Sequence, residues 1–508
     1  MHMRRRSLIT LTLCATFAFT VSGVACTFGT DCDFGKCDGP KVGAEGPDGS
    51  STDGGADVDA SPIPLGCDLT KDPKESPKCI DEDAGVFVSP NGKPGAAGTR
   101  TDPVGSITDA LPKLDGPKGR IPRIYVCAGD YSENVSVSTK VDIFGGLDCA
   151  SWAPGAAKPK FTAKAPGDFA LKITGARDIS ITDIAFAAQA AGQSAANSIA
   201  AFVTEASGNV RLARVDLAAL EGANGATPAA PGADGALMSS MPTPGTLDGN
   251  MGAGTVGGAA QACTCVGGKT STGGKGGDDN KDGEAGKLAV AIPDPPTATG
   301  AGGSRTDCIN TSAGGRPGSK GPAGNDGEPS TLGSLEPAGW TPGGGAKGAD
   351  GAAGQGGGGG AGENGGGGGS GGCGGCPGLG GEGGKGGGSS IALLVFNSPK
   401  LSLSTVTLST KSAGDGGNGI SGGSGISGGN RGLASAVGAA CNGGGGGAGG
   451  NGGAGAGGAG GVSVGILYKG PKPTSEGVTF TGGTKGAPGG GPGKPGPDGQ
   501  AAQELEIK

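Results

Sequence analysis

Leu401-Ser-Leu403-Ser-Thr-Val406-Thr-Leu408 sets its apolar residues at offsets 0, 2, 5 and 7. The same spacing recurs at Ile179/Ile181/Ile184/Phe186 and at Val210/Leu212/Val215/Leu217. A worn copy keeps Val478 and Phe480 but has Pro473 and Ser475 in the first two places. A further apolar alternation precedes each copy: Phe169/Leu171/Ile173, Ile199/Ala201/Val203, Ile391/Leu393/Val395 and Val464/Ile466. Offsets 0 and 2 place two side chains on one face of a strand. The step of three breaks the alternation once, as a corner residue would, so each repeat reads as three short strands separated by bends. One repeat cannot bury its apolar row alone, so neighbours must stack. The expectation is an all-β parallel β-helix; the competing reading is a set of hairpins in a β-rich domain.

Glycine is 120 of 508 residues, against a usual level of about 7%. The hydrophobic fraction of 34% suffices for one modest core. A net charge of −7 over this length argues against a nucleic-acid partner, which wants a basic face.

Arg4-Arg5-Arg6 followed by an apolar run to Val24 reads as a signal peptide over 1–25. Arg5-Arg6-Ser7-Leu8-Ile9 faintly resembles a twin-arginine signal, but an ordinary Sec signal with three arginines is the preferred reading. Val21-Ser-Gly23-Val-Ala25-Cys26 resembles a bacterial lipobox, with Gly23 where a leucine-like residue is usual. Of the fourteen cysteines, the signal takes Cys14 and lipidation would take Cys26, leaving an even twelve. Parity therefore favours an exported lipoprotein, held to the outer membrane or cell surface by a lipid on Cys26. Residues 26–66 are rich in Asp, Gly, Ser and Pro and read as a disordered tether. Asp53, Asp57 and Asp59 lack the glycine and closing glutamate of an EF-hand loop, so they read as linker.

From Val86 the chain shows a strand, Asn91-Gly92, Pro103 with Ile107-Thr-Asp-Ala-Leu111, then Ile124–Tyr131, Gly145-Gly146 and Trp152. This order resembles the amino-terminal cap and first rungs of right-handed β-helix proteins of the pectin-lyase-like superfamily, over about 84–152. The resemblance implies a capping helix on an end that would otherwise expose apolar rungs and open strand edges. On this reading Cys127 and Cys149 lie one rung apart and pair. Cys67–Cys79 and Cys32–Cys37 are the other expected early pairs, although spacing alone does not set connectivity.

The cap and first coils occupy 67–220, with single coils at 390–410 and 462–484 and a disordered tail at 485–508. Glycine-rich insertions fill 221–389 and 411–461, and both leave the repeat after its last strand. Glycine recurs every third residue at Gly315–Gly327 and at Gly345–Gly360. Collagen needs a longer, proline-rich register and three chains. Extended three-residue-per-turn helices packed side by side, or a disordered loop, both remain open; the composition also resembles PGRS-like bacterial surface regions. The first insertion holds Cys263, Cys265, Cys308, Cys373 and Cys376, the second only Cys441. Once the earlier six cysteines pair, Cys441 must bond to one of the five and staple the insertions together. Cys373-Gly-Gly-Cys376 also admits a redox or zinc reading, but no helix start follows it and Cys263/Cys265 lie over a hundred residues away.

Many pectin-lyase-like proteins cleave acidic polysaccharides. The one histidine, His2, falls in the signal peptide, and Asp278-Asp279 sits in a glycine-rich insertion. Arg177, Asp178, Asp183, Arg211, Arg214 and Asp216 on the inner coils read as solvated strand charges, and Trp340 and Tyr468 as spare aromatics. No catalytic, cofactor or metal residue is assigned. The expected role is a non-enzymatic surface lipoprotein, structural or adhesive. The alternatives are a calcium-dependent polysaccharide lyase with an unrecognised site, to be sought around Asp183, Arg214, Asp216 and their stacked neighbours, or a module binding polysaccharide or a surface protein.

Overall fold

The structure, a computed structural model, describes residues 64–115, 122–175, 178–192, 196–229, 246–250, 255–265, 270–287, 299–311 and 313–508. The signal peptide, Cys26, Cys32, Cys37, the acidic linker and Arg177 lie outside these residues.

Strand dominates, in three long parallel sheets. The first runs Val86–Val88, Arg123–Cys127, Val141–Leu147, Ile179–Thr182, Val210–Ala213, Leu401–Ser404, Thr474–Glu476. The second runs Asp130–Ser132, Lys160–Thr162, Ala185–Ala187, Asp216–Ala218, Thr407–Ser409, Thr479–Thr481. The third runs Val135–Val137, Leu171–Thr174, Ser198–Thr204, Ser390–Phe396, Ser463–Lys469, Ala501–Glu506. The chain visits the third, first and second sheets in turn and repeats the cycle, a path compatible with a solenoid. Equivalent repeat positions are partners: Val210 lies between Ile179 and Leu401, and Leu217 between Phe186 and Leu408.

The step of three has a backbone cause. Asp183, Arg214, Thr405 and Gly477 stand at the bend between the first and second sheets with φ of 58°, 51°, 56° and 62°. A left-handed residue there reverses the facing of the next strand, so Ile184, Val215 and Val406 point inward again. Gly175, Glu205, Asn397 and Gly470 do the same between the third and first sheets.

The interior is a continuous column of these apolar rows, with Tyr131, Phe161 and Phe186 stacked at 4.6 and 5.6 Å. Ile107–Ala110 is a short helix whose Ile107 and Ala110 join that core. Ser106 accepts from the Asp109 N–H, and the Glu133 carboxylate accepts from the Ile107 and Thr108 N–H groups. Those donors would otherwise be orphaned at the helix start. The sheets also bury apolar residues on their outer faces. Phe202, Leu394 and Leu467 on the third sheet lie beneath Leu335 and Trp340 of the hairpin Gly333–Glu336/Gly339–Pro342. Trp340 is therefore a buried anchor instead of a spare surface aromatic, its Nε1 donating to Ser389 Oγ at 2.9 Å. Tyr468 packs half-buried against the main core.

The expectation of a disordered 485–508 is corrected. Residues 483–499 pack against the glycine-rich insertions, and Ala501–Glu506 adds a strand to the third sheet beside Ser463–Lys469. Gly483, Gly486 and Gly489 keep the three-residue period of the insertions; that signal was present and short. Among the described residues no helix is long and apolar enough to cross a membrane.

Candidate functional site

The insertions after Ala218 and Ser409 and the segment after Thr481 all start from adjacent strands of the second sheet, so they run side by side. Their glycine runs form extended threads that bond to one another through every third residue. Gly345, Gly348, Gly351, Gly354, Gly357 and Gly360 donate to the antiparallel carbonyls of Gly384, Gly381, Gly378, Gly375, Gly372 and Gly369 at 2.8–2.9 Å. Gly372, Gly375, Gly378, Gly381, Gly384 and Gly387 donate in turn to a parallel thread, at Gly444, Gly447, Gly450, Gly453, Ala456 and Ala459. Gly315, Gly318, Gly321, Gly324 and Gly327 reach that same thread at Asn442, Gly445, Ala448, Asn451 and Ala454. A helix with three residues per turn has no internal hydrogen bonds, so its backbone groups must be satisfied by neighbours. Packing threads into a lattice does this, and it requires glycine: a Cβ on Gly357 would lie 2.1 Å from the Gly444 carbonyl oxygen.

Disulfides tie the lattice. Cys263 bonds to Cys373 and Cys265 to Cys376, joining the short antiparallel ribbon Ala262–Thr264/Thr270–Thr272 to the thread that returns from residue 366. Cys308, on the helix Arg305–Thr311, bonds to Cys441 and so links the two insertions. Cys67–Cys79 and Cys127–Cys149 close earlier loops. The five disulfides among the described residues fit an oxidising, extracellular environment.

The threads turn at one far end, where Glu363 bridges to Gly366 and residues 433–441 reverse direction. Large apolar side chains are exposed there: Val256, Ile309, Leu433 and Val437 are each about half exposed. The remaining large exposed hydrophobic among the described residues is Leu65. Leu433 N–H bonds to Asp248 and its carbonyl accepts from Gly249, and Arg305 clamps Glu363 through two nitrogens. The apolar groups thus sit on fixed backbone.

The charges on the coils are tied to each other. Asp183 accepts from Arg214 Nε at 3.0 Å and Nη2 at 2.8 Å, and Lys74 lies 3.0 Å away. Burial pushes the Asp183 carboxyl up, but the hydrogen bonds and charges of Arg214 and Lys74 outweigh it and hold the group below the usual carboxylate range. Arg214 also reaches Asp72 at 2.8 Å, and Arg211 lies 3.9 Å from the same residue. The segment 67–80 is in this way strapped over the first sheet, with Ile80 on Phe87, Tyr125 and Trp152. Asp216 pairs with Lys158 instead of joining Asp183, and Asp178 bonds to Asn209. Asp278 is held by Lys275, and Asp279 accepts from the Gly365 N–H. Among the described residues no group of three or more His, Cys, Asp or Glu could hold a metal ion. Asp72 and Lys74 were not legible as partners because they precede the first repeat and carry no pattern of their own.

Compared with protein-family models, with curated proteins and with solved structures, the chain finds no match.

Proposed function

We propose that the chain is an exported bacterial lipoprotein, anchored through Cys26 at the outer membrane or cell surface, with a structural or adhesive role. In this reading a right-handed parallel β-helix, pectin-lyase-like in architecture, holds out a stapled bundle of glycine threads. The cyclic path through three parallel sheets supports the β-helix, and the disulfides support export. The observation that carries the role is the far end of the bundle, where Val256, Ile309, Leu433 and Val437 stand exposed on cross-linked backbone. Large apolar side chains left exposed at one end of a fold are characteristic of a contact surface. Of the groups at which a lyase site would be sought, Asp183 and Arg214 are engaged in the Asp72–Arg214–Asp183–Lys74 clasp and Asp216 is paired with Lys158.

The test uses the mature protein with its disulfides oxidised, mixed with acidic and neutral polysaccharides with and without calcium. Absorbance of unsaturated uronates and retention on immobilised polymers are recorded together. No cleavage, with attachment of cells or beads that falls when Leu433 and Val437 become serine, supports the proposal. Calcium-dependent absorbance growth overturns it in favour of the lyase. Membrane fractionation of Cys26→Ser checks the anchor, with release into the soluble fraction expected.

A further inference from the structure

Among the described residues the thread lattice has an unfilled position. The tail runs out along residues 411–419, where Ala413, Gly416 and Gly419 donate to Thr484, Ala487 and Gly490 at 2.9 Å. On its other side Gly486 and Gly489 donate to Gly461 and Gly458 at 3.0 and 2.8 Å. At Gly491, with φ of 122°, the tail turns back, but the two walls continue toward the far end. There the N–H groups of Gly422 and Gly428 and the carbonyls of Gly446, Gly449 and Gly452 have no hydrogen-bond partner among the described residues, whereas the Gly455 carbonyl is covered by the returning tail at Gly493. Gly425 N–H, the donor between them, bonds to the side-chain oxygen of Asn451 at 3.1 Å, where the tail's carbonyl would otherwise stand. The opening spans about seven residues, roughly 22 Å at ~3.1 Å per residue.

We infer that this slot docks an extended polypeptide segment with glycine at every third residue, lying in the direction of the tail and extending its line. The argument is continuity: the same two walls already hold such a segment. In the occupied part the glycine N–H donates to one wall and the next residue's carbonyl accepts from the other, while the third residue bonds to neither wall. A Cβ at Gly486 or Gly489 would lie 1.9 or 2.0 Å from the Gly414 or Gly417 carbonyl oxygen, so the period is enforced by sterics. Gly486-Ala487-Pro488 is one such unit, and its proline needs no donor. Strand-like addition to an open backbone edge gains affinity from main-chain bonds and specificity from the fit between them. Asn451 holds the place until the segment arrives.

The probe is a labelled peptide of four Gly-Ala-Pro units, titrated into the oxidised mature protein and followed by fluorescence anisotropy. The control peptide has alanine in place of each glycine. Binding at least tenfold tighter for the glycine peptide is expected. That binding should weaken tenfold or more in Ala448→Arg and in Gly445→Arg, which share the Asn451 face; a Cβ at Gly445 meets nothing within 4 Å. Asn451→Ala should bind several-fold more tightly, because the displaced side chain no longer competes. Equal affinity for the two peptides, no binding of the glycine peptide at millimolar concentration, or indifference to both arginine variants would each overturn the inference.

Discussion

Arg214 grips Asp183 with both Nε and Nη2, and the same Nη2 lies 2.8 Å from Asp72, so one guanidinium joins the coil corner to the strap that crosses it. Asp183 is buried while Arg214 is about one-third exposed. Arg214→Met should therefore cost about 2 kcal/mol, below the 3–5 seen for fully buried pairs because water and Lys74 partly compensate. Denaturant midpoints would measure the loss. Limited proteolysis should show 67–80 cut sooner than the coils.

Acid should undo the same clasp. The Asp183 carboxyl is held below its ordinary value, so the unfolded chain binds more protons through that window and stability rises with pH across it. The contribution is full above the unfolded value of about 3.9 and is lost as pH falls through the folded value. Stability of the wild type, followed downward from pH 6, should drop in that range, and Asp183→Asn should lack this component.

Thr405 places a β-branched side chain at φ of 56° on an exposed corner. Thr405→Asn should raise stability by roughly 0.5–1 kcal/mol, because asparagine tolerates the left-handed region better. Thr405→Gly should gain less, since glycine adds entropy to the unfolded chain. Thermal melts of the two variants would rank them.

Gly357→Ala and Gly445→Ala should behave oppositely. The first brings a methyl 2.1 Å from a carbonyl oxygen inside the lattice, and the second meets open space. The expected costs are about 2–3 kcal/mol or more for Gly357→Ala and close to zero for Gly445→Ala. Hydrogen exchange of the thread amides would show whether the loss is confined to the bundle.

Replacing Cys308 and Cys441 together by serine opens a cross-link with a sequence separation of 133. The chain-entropy limit for such a loop is about 4–5 kcal/mol. Hydrogen exchange should accelerate first in Arg305–Thr311 and around 433–441, with the coil strands little changed.

The sequence by itself determined the strands, their inward faces and the corner in each repeat. These follow from local alternation and from a one-residue break in it, and Ile179, Val210 and Leu401 carry that pattern without help from distant partners. It also displayed a glycine at every third residue at 315–327 and 345–360, without deciding between packed threads and a disordered loop, and by parity it gave Cys441 a partner in the first insertion. Tertiary structure decided the rest. Which threads lie side by side depends on hydrogen bonds between residues such as Gly372 and Gly444, and glycine has no side chain to encode a preferred neighbour. The tail departs from its expected disorder for the same reason: composition alone does not distinguish a flexible glycine segment from one whose backbone groups bond to neighbouring threads. Asp72 and Lys74 met Arg214 and Asp183 only because the strap folds back over coils formed more than a hundred residues later. Side-chain pattern is local and legible in one dimension, whereas backbone satisfaction in a glycine lattice is a property of the assembled neighbours.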